Sequence, residues 1–191
     1  PHHSLDHHPL MARLLAPEIS RREYGDVLVA LHGVVASVEA ALLSYLSDHP
    51  ALFDYAPRRK LPALEADLST LGRAPGTAAA TIPVIDRAGA LFGTLYTLEG
   101  ATLGGAFIAT RLRQQRAGDF PLQFYTVYGD QTQSRWLAFL AQAEQRCPAV
   151  DYACAAATAV ALFEAIKGHL DTCHDQPSSA GAMTTAAPSV N

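Results

Sequence analysis

The sequence predicts an all-α, single-domain fold, and three observations carry that prediction. Apolar residues recur at spacings of three and four over most of the 191 residues, which is typical of amphipathic helices. Convincing strand patterns are absent from the sequence. Apolar residues make up 49% and charged residues 17%, a balance that suits one core, and no internal repeat suggests a second domain. We expect a helical domain over residues 1–174 and a flexible tail over 175–191.

Two helices open the chain in this prediction. Leucines at near-helical spacing predict the first over residues 2–16, interrupted by Pro9, because proline disfavours a helix interior. Ser20 and Glu23 form a capping-box pattern, which predicts a second helix running to about residue 47. Apolar residues at threes and fours predict one buried stripe along it.

Four more helices follow. Leucines and an early Pro62 predict a short third helix, and a loop is expected over residues 72–83. A long helix should begin near Asp86. After an aromatic loop, Asp130 is the predicted N-cap of the next helix, and Pro148 is expected to open the last one.

The long helix carries three glycines that share a face. Gly100 and Gly104 are four residues apart, and Gly105 widens the strip. Each glycine inside a helix costs about 0.5–1 kcal/mol relative to alanine, so a compensating reason is expected. One reason is a flat ligand lying against bare backbone, and another is close packing of a second helix. A third is a membrane span over residues 89–110, in which Glu99 is the only charge.

Charge and cysteine content narrow the function classes. A formal charge of -4 and a pI near 6.0 give no basic footprint, which argues against a nucleic-acid partner. Cys147, Cys154 and Cys173 form no CxxC pair and no metal-ligand spacing. With no signal peptide in view, we expect reduced thiols and a cytoplasmic location without a membrane span.

Four histidines cluster near the start of the sequence. His3 and His7 are four residues apart on a predicted helix and could bind zinc, although no third ligand is near them in the sequence. A purification tag is the other mundane explanation for the cluster. The histidines are interspersed with other residues, however, and run directly into an apolar stretch.

Two motifs together resemble the haem oxygenase family. Residues 2–6 read His-His-Ser-Leu-Asp, similar to the HxxL(D/E) motif of that family's first helix. Residues 98–105 read Leu-Glu-Gly-Ala-Thr-Leu-Gly-Gly, similar to its distal GxxxGG motif. A later aromatic segment with Tyr128, Trp136 and Phe139 resembles the short bacterial branch.

The resemblance implies a fold and an activity. Haem would lie between the first helix and a kinked, glycine-rich distal helix, with His2 as the iron ligand and His3 as its competitor. Gly100, Gly104 and Gly105 would be the distal glycines. The implied reaction uses dioxygen and electrons from a reductase or ferredoxin to open haem, both cofactor and substrate, to biliverdin, carbon monoxide and iron. Iron acquisition and supply of a bilin to a photoreceptor both fit such an enzyme.

The sequence departs from the family pattern at two places. Ala101 stands where mammalian-type members carry an aspartate that organises distal water. The usual cationic partners of the haem propionates are not recognisable either. The candidates are Arg111, Arg113, Arg135 and Tyr125, with a solvated-face role as the alternative for each. Two other functions therefore stay open, namely a non-catalytic haem-binding or delivery protein and a helical enzyme that acts on another small molecule.

Overall fold

The computed structural model describes residues 8–115 and 119–175, which form six α-helices joined by turns and loops. The helices are α1 (Pro9–Leu14), α2 (Arg21–Asp48), α3 (Leu61–Thr70), α4 (Ala88–Arg113), α5 (Thr132–Arg146) and α6 (Tyr152–Asp175). No strand occurs in these two ranges, so the predicted all-α class is confirmed. Residues 176–191 lie outside the described ranges, and the predicted boundary at residue 174 stays a prediction.

Two predicted helix starts are confirmed in detail. The Ser20 side chain accepts a hydrogen bond from the Glu23 N–H at 3.1 Å, and Glu23 Oε2 accepts one from the Ser20 N–H at 3.0 Å. This reciprocal capping box satisfies two N–H groups that the first turn of α2 would otherwise leave unpaired. Pro62 lies in the first turn of α3, where its missing N–H removes no helical hydrogen bond.

Pro9 was expected to interrupt the first predicted helix, and the described part of that helix does begin at Pro9, after an extended His8. Pro9 is the first residue of α1, and the imidazole of His8 caps the helix by accepting the Leu10 N–H at 3.2 Å. A proline at the first helical position is favourable because its fixed φ already suits the helix. The part of the predicted helix before His8 lies outside the described residues.

The expected starts of the last two helices differ from the observed starts of α5 and α6 by a few residues each. Asp130 lies inside a 3-10 turn, Gly129–Gln131, and α5 begins at Thr132 without a side-chain cap. The turn is entered through Gly129 at a φ of 55°, a conformation that suits glycine. Pro148 likewise precedes a 3-10 turn, Ala149–Asp151, and α6 begins only after it.

The buried apolar side chains form two main clusters, and α4 contributes to both. Its first half supplies Leu91, Phe92 and Leu95 to a cluster shared with α2, α5 and α6. Its last turns supply Ala109 and Leu112 to a cluster shared with α2 and α3. Between Leu95 and Ala109, α4 contributes no buried member to either main cluster of described residues. The glycine run falls in this interval.

Within residues 8–115 and 119–175, two segments are long and apolar enough to cross a membrane, judged by length and composition alone. In Arg21–Asp48 the most apolar window has a mean hydropathy of 1.9 and is 56% buried, as expected for the central helix of a folded domain. In Ala149–Asp175 it has a mean hydropathy of 1.5 and is only 11% buried. The glycine run over 89–110 is not one of these two segments.

Candidate functional site

A cavity of about 350 Å³ lies against the middle of α4. Gly100, Gly104 and Gly105 line it, together with residues that come from several other elements. Its apolar walls include Met11 of α1, Leu31 of α2, Phe124, Val127 and Phe163 of α6. A mostly apolar cavity with a few polar groups is typical of cofactor sites. The first described helix and the glycine-rich helix therefore border the same cavity.

The three glycines meet different surroundings. A Cβ added to Gly104 would have no described heavy atom within 4 Å, so this position faces open space. A Cβ on Gly100 would touch the Trp136 indole at 3.7 Å, which is an ordinary contact. A Cβ on Gly105 would lie 3.3 Å from the Tyr125 carbonyl oxygen, which is tight. Close packing thus explains Gly105 but does not explain Gly104.

Tyr125 is a buried polar residue on the cavity wall. Asp67 of α3 holds the adjoining segment, because its carboxylate accepts the backbone N–H groups of Gln123 at 3.0 Å and Phe124 at 2.9 Å. Burial raises the pKa of the Tyr125 hydroxyl, so it keeps its proton at neutral pH. Its oxygen has no hydrogen-bond partner within the described part of the chain. A buried hydroxyl without a partner is costly, and a bound ligand or water would satisfy it.

The two arginines predicted near the site lie elsewhere. Arg111 is exposed in the last turn of α4. Arg135 donates to the Pro57 carbonyl at 3.1 Å and lies 4.9 Å above the ring of Tyr128. Neither arginine is among the described residues that line the cavity.

The histidines predicted as ligands lie outside the described residues, namely His2 with its competitor His3 for iron, and His3 with His7 for zinc. The neighbouring His8 is buried and occupied on both ring nitrogens. Its Nδ1 accepts the Leu10 N–H, and its Nε2 lies 3.0 Å from Asp171 Oδ1. Over residues 8–115 and 119–175, no group of three His, Cys, Asp or Glu side chains could hold a metal ion by itself.

Sequence reasoning missed a buried ionic cluster that adjoins the cavity. The carboxylate of Glu99, the residue before Gly100, is fully buried and accepts hydrogen bonds from Arg58 at 2.5 Å and Lys60 at 2.6 Å. The Tyr128 hydroxyl lies 2.9 Å from the same carboxylate, and burial together with Glu99 raises its pKa. A single charge inside a long apolar run was the available signal, since buried carboxylates require partners.

Comparisons with known proteins agree with the resemblance seen in the sequence. A family model described as "Heme oxygenase" matches residues 1–165. A protein named "Heme oxygenase" from Xanthomonas campestris pv. campestris (strain 8004) is 34% identical over 164 residues. The aligned region covers 86% of this chain and 96% of that protein, so the similarity is not confined to the two motifs.

Proposed function

This chain belongs to the haem oxygenase family, and on that premise we propose how its own residues hold haem during conversion to biliverdin, carbon monoxide and free iron. The observation that carries the proposal is the open face of Gly104 above a mostly apolar cavity. When bound, haem supplies both the iron and the oxidisable ring, and dioxygen and external electrons complete the reaction.

The cavity residues fit this group. The glycine face lets a flat ring approach the backbone of α4, where a side chain at Gly104 would occupy the space. Met11, Leu31 and Phe163 cover apolar ring surface and exclude water from it. Tyr125 Oη, neutral and without a described partner, is our candidate to donate a hydrogen bond to a propionate. The cavity, the glycines and the hydroxyl together support haem as the ligand.

The described distal wall offers few protons. Ala101 lines the cavity with a methyl group, and the Thr102 hydroxyl donates to the Glu99 carbonyl at 2.6 Å. The hydroxyl of Thr97 is likewise directed to the Gly93 carbonyl at 3.3 Å. We therefore propose that ordered water beside the glycine peptide groups delivers protons, since backbone groups can position water without a strong acid.

Iron coordination and partners complete the proposal. His2 is our proposed iron ligand, and Arg111 and Arg135 stay predictions as propionate partners. The reaction needs a redox partner, for which we propose a reductase or ferredoxin. A bilin-using photoreceptor and a cytoplasmic location likewise stay predictions.

The proposal is tested by the absorption spectrum of the full chain mixed with haem, recorded in air before and after ascorbate is added. We expect a Soret band that declines as a biliverdin band grows. His2→Ala should lose the histidine-ligated spectrum, whereas the matched variant His3→Ala should keep it. Stable haem with no biliverdin would instead identify a haem carrier, and a His2→Ala spectrum identical to that of the wild type would refute the proposed ligand.

A further inference from the structure

Glu99 ties the cavity wall to two distant parts of the chain. Its neighbour Gly100 begins the glycine run, whereas its partners Arg58 and Lys60 precede α3 and Tyr128 follows the wall segment that contains Tyr125. All four side chains of the cluster are buried, with Glu99 0% and Lys60 2% exposed. Three segments that are far apart in sequence therefore meet at one carboxylate.

Lys60 lines the cavity but is not available as a cation for a ligand. Its ammonium has three N–H donors, and three acceptors surround it. They are Glu99 Oε1 at 2.6 Å, the Arg58 carbonyl at 2.8 Å and Tyr128 Oη at 3.0 Å. Burial lowers the pKa of Lys60, and the Glu99 carboxylate opposes that shift. Its donors all serve to hold the cluster together.

Next to Glu99, apolar packing holds α4 only in part, since Leu98 is a partly buried neighbour of the first core cluster. Three glycines within six residues weaken the helix, by about 0.5–1 kcal/mol each. The interval from Leu95 to Ala109 also adds no buried side chain to the main core clusters of the described residues. A fully paired charge at the start of this interval is thus well placed to set where the glycine backbone lies.

We propose that Glu99 is a positioning residue for the haem reaction, acting through Gly100 and Gly104 on the distance and rotation of the α4 backbone over the ring. The inference rests on the proposed function, because only a bound ring gives that placement a chemical consequence. A displaced backbone changes which ring edge is presented for cleavage and where distal water is held. The measurable result is a change in the biliverdin isomers that form.

The chain contains a matched control for this cluster. Glu39 of α2 is 1% exposed and accepts hydrogen bonds from Tyr55 at 3.1 Å, from Arg59 at 3.1 Å and from the backbone N–H groups of Lys60 and Leu61. Glu39 and Tyr55 are not among the described residues that line the cavity, and neither lies on α4. Tyr55→Phe thus removes a buried phenol–carboxylate hydrogen bond that does not involve α4, and it keeps the ring that lies 5.6 Å from Lys60 Nζ. Tyr128→Phe removes such a bond to Glu99 on α4 itself.

The experiment compares Tyr128→Phe with Tyr55→Phe by two measurements. The first is the ratio of biliverdin isomers, and the second is the pH at which the pH-dependent change in the ferric haem absorption spectrum is half complete. We expect minor isomers to rise about three-fold or more in Tyr128→Phe only, as loss of one buried hydrogen bond allows. The pH midpoint should also move only in that variant, while both variants melt at similar temperatures. Equal changes in both variants, or none in either, would overturn the inference.

A second pair guards against loss of folding in one variant. Glu99→Gln and Glu39→Gln each keep the side-chain shape and remove a buried charge, and the same two readouts apply. A larger change in Glu99→Gln supports the positioning role, and indistinguishable spectra and isomers count against it. Wild-type protein that forms no biliverdin would contradict the proposed function itself, whereas active wild type with unaltered Tyr128→Phe products contradicts only this inference.

Discussion

The helix α4 carries two glycine pairs with the same spacing and different surroundings. In the first pair, a Cβ on Gly89 would lie 2.6 Å from the Asp151 carbonyl oxygen, and one on Gly93 would lie 2.3 Å from that of Ala155. In the second pair, a Cβ on Gly100 would make an ordinary contact and one on Gly104 would meet no described atom within 4 Å. The first pair lets α6 approach, and the second borders the cavity.

The difference shows that glycine spacing identifies a bare strip without saying what covers it. Facing Gly89 and Gly93, α6 presents small side chains, namely Cys154, Ala155 and Thr158, so two backbones can come close. The neighbour of Gly100 is instead the large indole of Trp136. In this helix, the packing glycines face small residues on the partner helix, and the glycines that border the cavity do not.

The largest expected effect comes from Glu99, which lies between the two glycine pairs. Glu99→Ala leaves two buried cations without their carboxylate, and we expect a loss of about 3–5 kcal/mol in the free energy of unfolding. Urea denaturation measures this loss. Amide hydrogen exchange should rise more over residues 100–107 than over residues 88–95, because α6 continues to hold the first half. Equal acceleration in both halves would show that α4 responds as one unit.

A smaller loss in the free energy of unfolding is expected at the contact between α4 and α6. Gly93→Ala places a methyl group against the Ala155 carbonyl and the Thr158 Cβ, so α4 and α6 must separate. We expect a destabilisation of about 1–3 kcal/mol from overpacking, which exceeds the gain in helix propensity. Thermal or urea unfolding measures it. Unchanged stability would mean that α4 and α6 can separate at little cost. Close packing would then not distinguish the first glycine pair from the second.

Much of the fold could be predicted because its signals are local. The capping box of Ser20 and Glu23 and the early Pro62 each depend on residues within one helical turn. The missed starts at Asp130 and Pro148 have one cause, since in both places a 3-10 turn precedes the helix. A residue type that favours an N-cap does not reveal whether a 3-10 turn precedes the α-helix.

The site was predictable in part for a different reason. The glycine run pointed to the cavity wall because glycine is unfavourable inside a helix, so that several glycines there require a reason. Sequence reasoning did not find Lys60, which lines the cavity among the described residues, and its partner Glu99 lies 39 residues away. Pairings at such separations depend on how α3 and α4 pack, and no periodic pattern in the sequence encodes them.

The smallest expected change in stability gives the clearest separation of the two glycine roles. Gly104→Ala adds a methyl group in open space, so the free energy of unfolding should rise by about 0.5–1 kcal/mol. Gly168 of α6 is a matched control, because its Cβ would also meet no described atom within 4 Å and it does not line the cavity. Gly168→Ala should therefore gain the same stability.

Haem turnover should distinguish these two stabilised variants. In the proposed haem position, a methyl group at Gly104 would push the ring away from the α4 backbone. Since a misplacement of about 1 Å can cost 100-fold, we expect kcat to fall about 10- to 100-fold. Gly168→Ala should keep the wild-type rate. Urea denaturation and biliverdin formation, measured on the same preparations, give both numbers. Equal turnover in both variants would show that the open face of Gly104 is not needed for the reaction, because the two substitutions would then differ in neither stability nor rate.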